Sequence, residues 1–344
     1  MVFFSIIVPC YNLKPWIQEC LDSVLEQSFT NWECIVIDDE STDGSGLILD
    51  EYAKRDQRFR IIHQKNAGEG GARNAGLEVA RGEWVFFLDG DDVMLSRALE
   101  VLAKACDADS NLVRFGFIEF DDGQLPNSHI DSCFETKQFE ISEEIDMSEF
   151  YSYVWQHAYR KSIVHGIRFK RYKRGCDRVY IDDVLLNRVG TVKVIAATLY
   201  GYRKREGSAM SSIPSVQVLR DEMDHRLDIM EMIDASGKKV EYAGNYWLEG
   251  YFIHAVPLLT LDRPEDAREI KVEWRNRLPR LVKCKGLSRN GRWKLCLASS
   301  RLFRPIGDFI LYTLPCIRHK SPLFKSLARL YRRIMRHGEF AREK

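Results

Sequence analysis

No run of 18 residues in this 344-residue chain is free of charge. The two most apolar segments, Gly250 to Leu261 and Pro305 to Ile317, are short, and the second contains Asp308 and Pro315. A membrane-spanning helix needs about 20 apolar residues, so none is expected. No basic segment precedes the apolar run at Val2 to Pro9, so a secretory signal peptide is not expected. No two of the nine cysteines have CxxC spacing, and their number is odd. Several sit in apolar runs such as Glu33-Cys34-Ile35-Val36, which predicts reduced thiols buried as small hydrophobes in a cytosolic protein. Internal repeats and low-complexity tracts are absent. A hydrophobic fraction of 45% with 29% charged residues excludes global disorder.

Net charge is only +1, which argues against a dedicated nucleic-acid binder. That average hides a split. Residues 279–344 hold 17 Lys/Arg against 3 Asp/Glu, while the remainder holds 34 basic and 47 acidic residues. An acidic body with a basic tail implies two tasks. At this length two domains are comfortable.

The first hundred residues alternate the two hydrophobic periods. Phe3 to Pro9, Trp32 to Ile37, Phe59 to His63 and Trp84 to Leu88 are apolar, β-branched or aromatic runs that predict strands. Between them, Trp16, Ile17, Cys20, Leu21, Val24 and Leu25 recur at helical spacing after Pro15. Leu47 to Lys54 and the Gly/Ala-rich segment Gly68 to Ala80 predict two more helices. Strand–helix alternation predicts an α/β fold with a mostly parallel central sheet. Leu112 to Phe120 and Val192 to Tyr202 add strands, and Ser211 to about Asp262 is mainly helical in pattern. The expected organisation is a catalytic domain over residues 1–210 (halves 1–105 and 106–210), a helical extension over 211–280 and a basic amphipathic tail over 281–344.

Ligands of such sheets lie beyond the carboxyl ends of the strands. Two acidic clusters, Asp38-Asp39 and Asp89-Gly90-Asp91-Asp92, fall there. Two carboxylates flanking a glycine suit a hard divalent cation that is shared with phosphate oxygens, although a solvated acidic turn has the same composition. Asp38-Asp39 can bond a base or ribose, or cap the next helix. Residues 39–50 approach a calcium-loop spacing but follow a strand and lack the closing Glu. Gly68-Glu69-Gly70-Gly71-Ala72-Arg73 fails the dinucleotide fingerprint at Arg73, yet a glycine-rich helix entry with an Arg can face a diphosphate. The Asp89-x-Asp91 spacing is shared with haloacid dehalogenase phosphatases, whose motif ends the first strand rather than the fourth. Tyr180-Ile181-Asp182-Asp183-Val184 offers paired carboxylates, as a general base or as a helix cap.

In order, these pieces resemble the family 2 glycosyltransferases, inverting and metal-dependent nucleotide-sugar enzymes with a GT-A fold. Ser5-Ile6-Ile7-Val8-Pro9-Cys10-Tyr11-Asn12 is similar to the family's opening strand. Val36 to Ser45 is similar to the signature ending DGSTDGS, with Glu40 in place of the usual Gly. Asn66 to Gly76 and Phe86 to Asp92 resemble the third signature and the DxD segment. More loosely, Trp155 to Phe169, Asp182-Asp183 (for Glu-Asp) and Tyr202 to Ser208 resemble later segments of members that build bacterial surface polysaccharides.

The resemblance implies that Asp39 meets uracil, that Asp89 meets the ribose and that Asp91 holds Mn2+ or Mg2+ on the diphosphate. Pro9, Tyr11 and Arg73 would line the nucleotide. Asp183 would be the general base, with Asp182, Arg203 and Arg205 as possible phosphate or acceptor contacts. The implied activity is transfer from a UDP-sugar to a growing surface glycan, expected to be lipid-linked. Alternatives are a nucleotidyltransferase, whose Gly-rich loop after the first strand is replaced here by Pro9-Cys10-Tyr11-Asn12, and a non-catalytic nucleotide- or glycan-binding subunit, against which the acids at 39, 89, 91 and 183 argue. In the tail, Phe324, Leu327, Tyr331 and Ile334 keep helical spacing among Lys and Arg. That pattern suits peripheral attachment to the inner face of a membrane, with a helical cap on the catalytic domain as the plainer reading. Nucleic acid is not an expected partner.

Overall fold

The computed structural model describes residues 2–124, 126, 135–141, 144–146, 153–173, 175–205 and 215–241, with isolated positions between 265 and 276. The tail expected at 281–344 and most of the helical extension lie outside the described residues. The chain divides into two compact units, Met1–Ser212 with Asp221–Val240, and Ile213–Arg220 with Glu241–Lys344.

Among the described residues the first unit is built on a nine-stranded sheet, whose strands in spatial order begin at residues 59, 32, 4, 84, 157, 112, 191 and 93, with the strand from 136 paired to that from 191. Its first four strands are β1 (Phe4–Cys10), β2 (Trp32–Asp38), β3 (Phe59–His63) and β4 (Trp84–Phe87). They are parallel throughout. Helices α1 (Ile17–Leu25), α2 (Ser45–Arg55) and α3 (Gly68–Val79) connect them. Every residue of β1, β2 and β4 is buried, as the unbroken apolar runs predict for strands covered on both faces. Helix α3 comes close enough to the sheet that a Cβ on Gly76 would lie 2.4 Å from Ile7 Cγ2, which explains the small residues in that helix.

Beyond β4 the pairing becomes mixed. After the two-residue β5 (Val93–Met94) and α4 (Ala98–Ala105) come β6 (Leu112–Asp121), β7 (Thr136–Glu140), β8 (Glu144–Asp146) and β9 (His157–Arg160). Strand β9 runs antiparallel between β4 and β6. The short α5 (Lys161–Val164) and then α6 (Cys176–Asn187) lead into β10 (Thr191–Lys204), which is parallel to β6. Helix α7 (Val216–Ser236) falls within the predicted helical stretch. The five described cysteines, Cys10, Cys20, Cys34, Cys106 and Cys176, are buried free thiols. Burial pushes the Cys10 thiol up to about 12.

Candidate active site

The carboxyl ends of β1, β2 and β4 are tied together by their loops. Asn12 bonds the Ser41-Thr42 segment in both directions: Asn12 N donates to Ser41 Oγ (3.1 Å), and Thr42 N donates to Asn12 Oδ1 (2.8 Å). Asp43 accepts from Lys14 N at 2.9 Å and from Ser45 N at 2.9 Å, so it stitches loop to loop. Glu40 has φ +68°, a left-handed conformation that an L side chain tolerates at a cost of roughly 1 kcal/mol. This is the physical reason a glycine is expected at that position.

Asp39 is almost fully buried. Its Oδ1 accepts from Gln64 Nε2 (2.7 Å) and Ala67 N (2.9 Å), and its Oδ2 accepts from Gly68 N (2.9 Å). It thus holds the entry of α3 beside the end of β1, where Asp39 N donates to Cys10 O at 2.8 Å. Pro9 is buried in β1, whereas Tyr11, two residues on and just past the carboxyl end of that strand, is 51% exposed.

The Asp89-Gly90-Asp91-Asp92 turn follows β4. A Cβ on Gly90 would stand 2.7 Å from Leu13 Cδ1 and 2.9 Å from Pro9 O, so only glycine lets this turn press against the end of β1. Asp92 is buried inside it. Its Oδ2 accepts from the Tyr200 hydroxyl (2.6 Å) and its Oδ1 from Arg203 N (2.7 Å), which fixes the turn to β10. Burial, with Asp91 and Asp89 adding, raises the Asp92 carboxyl well above its ordinary range.

Arg73 is the hub. Its side chain is 0% exposed. Nη2 donates to Glu69 Oε1 (2.6 Å) and Asp89 Oδ1 (2.7 Å), and Nη1 donates to Asp177 Oδ1 (2.5 Å). Burial works against this charge, but the three carboxylates outweigh it and raise the guanidinium well above its ordinary value. Arg73 therefore binds acids of α3, the β4 turn and α6. Burial brings the Asp89 carboxyl up to about 7 despite the opposing pull of Arg73.

Asp177 was not among the candidates read from the sequence. It lies in the first turn of α6, where the helix dipole favours a carboxylate. An aromatic box sets that helix against β4: Phe169 stacks on Tyr180 at 3.9 Å, and Phe87 meets both edge-on. Both hydrogen bonds made to its carboxylate, from Arg73 Nη1 and Cys176 Sγ, fall on Oδ1. Burial raises the carboxyl of Asp177. The signal was positional, an acid just after Gly175 where apolar helical periodicity begins. The adjacent pair Asp182-Asp183 is more conspicuous.

Those two acids lie elsewhere on α6. Asp182 is 0% exposed, and its Oδ2 accepts from Arg178 Nε at 2.9 Å. Its Oδ1 has no partner, and burial raises the carboxyl. Asp183 is half-buried and accepts from Asn187 Nδ2 at 2.8 Å. Six residues at 3.6 per turn put Asp183 about 120° around the helix from Asp177. Among the described contacts, neither Asp182 nor Asp183 bonds Arg73, Asp89 or Asp91.

Arg203 and Arg205 both reach the acidic turn. Arg203, buried, donates from Nε to Asp91 O (2.7 Å), from Nη2 to Glu19 Oε2 (2.7 Å) and from Nη1 to Asp122 Oδ1 (3.0 Å). Arg205 Nε donates to Asp91 Oδ2 at 2.7 Å, with its guanidinium 4.3 Å from the Trp16 ring centroid. Asp91 is thus a partly exposed carboxylate in a cluster rich in acid. The oxygen donors and the negative charge suit Mg2+ or Mn2+. Among the described residues no three His, Cys, Asp or Glu side chains converge as a metal cage. A cation here would take most of its oxygens from a diphosphate.

Known proteins resemble this chain in sequence and in fold. Residues 5–167 match the model of glycosyl transferase family 2. The uncharacterized glycosyltransferase EpsJ of Bacillus subtilis (strain 168) is 32% identical over 220 residues, which are 61% of this chain and 63% of EpsJ. The chain thus spans somewhat less than two thirds of that relative's length. Glycosyltransferase GlyG of Streptococcus pneumoniae serotype 4 is 29% identical over 63% of this chain and 76% of its own. In fold, the chain is similar to S. aureus TarS 1-349 in complex with UDP-GlcNAc, with a TM-score of 0.66, 20% identity, and coverage of 93% and 92% of the two chains. Among the described residues no helix is long and apolar enough to cross a membrane. Residues 5–167 thus carry a glycosyl transferase family 2 domain, and the chain has the GT-A fold.

Proposed function

We propose that the protein transfers a sugar from a UDP-sugar, with inversion, to a hydroxyl of a bacterial surface glycan. The observation that carries this reading is the convergence of Asp89, from the donor-side turn, and Asp177, from α6, on the single guanidinium of Arg73. Tyr11 offers an exposed aromatic face to the base, and Asp39 stands beside it at the end of β2. Asp91, with Asp89 adjacent, would hold the divalent cation. When bound, such a cation supplies charge stabilisation to the departing diphosphate.

Asp177 takes the role of general base in preference to Asp183. The acceptor oxygen attacks the anomeric carbon, the bond from that carbon to the diphosphate oxygen breaks, and Asp177 Oδ2 accepts the hydroxyl proton. Burial raises the Asp177 carboxyl against the opposing pull of Arg73, which strengthens it as a proton acceptor. Arg73 then acts by position, since it holds acceptor-side and donor-side acids in one geometry.

The acidic body suits a nucleotide site with bound cations, and the basic tail over 281–344 suits an anionic membrane surface carrying a lipid-linked acceptor. UDP release from a panel of UDP-sugars, with Mn2+, with Mg2+ and with a chelator, tests the activity. Metal-dependent release from at least one donor is expected. Release from none, or equal release in chelator, contradicts the proposal.

A further inference from the structure

An aromatic ladder rises from the acidic turn and ends at the surface. At its foot, Tyr200 donates its hydroxyl proton to Asp92 and accepts from Asp89 N at 3.2 Å. Trp155 lies flat on Tyr200, with centroids 4.2 Å apart and planes 12° from parallel. Tyr153 lies flat on Trp155 at 4.7 Å and 4°. Tyr202 flanks both upper rungs at 5.6 Å from Trp155 and 6.5 Å from Tyr153, again nearly parallel. Phe117 meets Trp155 edge-on at 5.1 Å and steadies the stack.

Exposure climbs along the ladder from 0% at Tyr200 and 2% at Trp155 to 40% at Tyr153. Tyr202 is half-buried. Burial pushes its phenol up to about 12, and Asp92, Tyr153, Asp91 and Asp89 add to the effect, in that order. Its hydroxyl therefore feels both the acidic turn and the top of the ladder. Among the described residues the outermost rung is Tyr153, an exposed ring whose plane is set by the ring beneath it.

A pyranose presents a flat C–H face and a rim of hydroxyls. Rigid aromatic faces with phenolic hydroxyls at their edges match both. We infer that Tyr153 and Tyr202 form the acceptor subsite, a platform on which a pyranose ring of the glycan acceptor stacks beside the acidic turn of Asp89 to Asp92. The inference rests on the sugar-transferase reading for what the platform serves, but its binding chemistry is separable from that reading.

The test uses the full chain and the methyl glycosides of glucose, galactose, N-acetylglucosamine and N-acetylgalactosamine as probes. Binding is followed by saturation-transfer NMR, and UDP binding by calorimetry. At least one glycoside should bind wild type through its ring protons, and Tyr153→Phe should keep that binding. Tyr153→Ser should weaken it about tenfold, the loss of one ring stack. Unchanged UDP affinity and an unchanged melting temperature in Tyr153→Ser show that the loss is local. Absence of binding by every glycoside to wild type overturns the inference, as does equal binding by Tyr153→Ser. If Tyr153→Ser does not fold, Tyr202→Ser is read by the same criteria. Glycoside binding that depends on Tyr153 in a protein unable to bind UDP would sink the transferase reading and leave the platform standing.

Discussion

Asp89 and Asp177 meet through one side chain. Asp89 Oδ1 lies 2.7 Å from Arg73 Nη2, and Asp177 Oδ1 lies 2.5 Å from Arg73 Nη1. The first acid ends a parallel strand and the second opens a helix of the antiparallel half, so a buried guanidinium joins the two halves at the place where chemistry is proposed. Such a pair is not cheap to keep. A buried cation is favourable only while its anions are in place.

Arg73→Met would leave Glu69, Asp89 and Asp177 without their shared cation. Breaking a buried ion pair from one side costs about 3–5 kcal/mol. Urea unfolding should show a lower midpoint at an unchanged slope. A loss of under about 1 kcal/mol, the scale of a surface pair, would mean that water serves these acids as well as Arg73 does.

Gly76→Ala sets two effects against each other. Alanine favours a helix interior by about 1 kcal/mol over glycine. The new methyl would press against Ile7 Cγ2 at 2.4 Å and Ile37 Cδ1 at 3.0 Å, between two strands that are fully buried. Overpacking of that kind costs about 1–3 kcal/mol, so a net loss of stability is expected. A raised melting temperature would show that α3 can lift off the sheet freely.

The parallel half of this fold was legible because its strands are buried on both faces and announce themselves as unbroken apolar runs. The antiparallel half was less so. Strand β9 is four residues long, and its burial depends on partners distant in sequence. At the site, the Asp89–Asp92 turn could be read from chemistry and spacing. The sequence suggested that Arg73 lines a nucleotide, whereas the structure surrounds it with Glu69, Asp89 and Asp177. Which of three acids on α6 faces that cluster is a matter of helix rotation. Asp182-Asp183 catches the eye as a pair, but the aromatic box of Phe87, Phe169 and Tyr180 turns Asp177 inward.

His63 carries a pH dependence of stability. Its Nδ1 lies 2.8 Å from Asp38 Oδ2 and its Nε2 3.1 Å from Asp50 Oδ1. Hydrogen bonding to Asp38, then to Asp50, raises the imidazole above its ordinary value of 6.5. The folded form therefore holds the proton more tightly than the unfolded chain. That stabilisation is fully present below 6.5 and is lost as pH rises through the folded-state value. The difference in melting temperature between wild type and His63→Asn should be largest near the acid end of this range and shrink toward alkaline pH. A difference that grows with pH would reverse the sign and reject the pairing.

The role of Asp177 is tested most directly by comparing Asp177→Asn with Asp183→Asn, using UDP release from the donor selected by the panel together with calorimetric UDP binding. Asp177→Asn should keep UDP affinity and lose transfer by about 10²–10⁴, the usual contribution of a general base. Asp183→Asn, on its own face of α6, should transfer at close to the wild-type rate. Near-normal transfer by Asp177→Asn together with loss in Asp183→Asn would contradict the account.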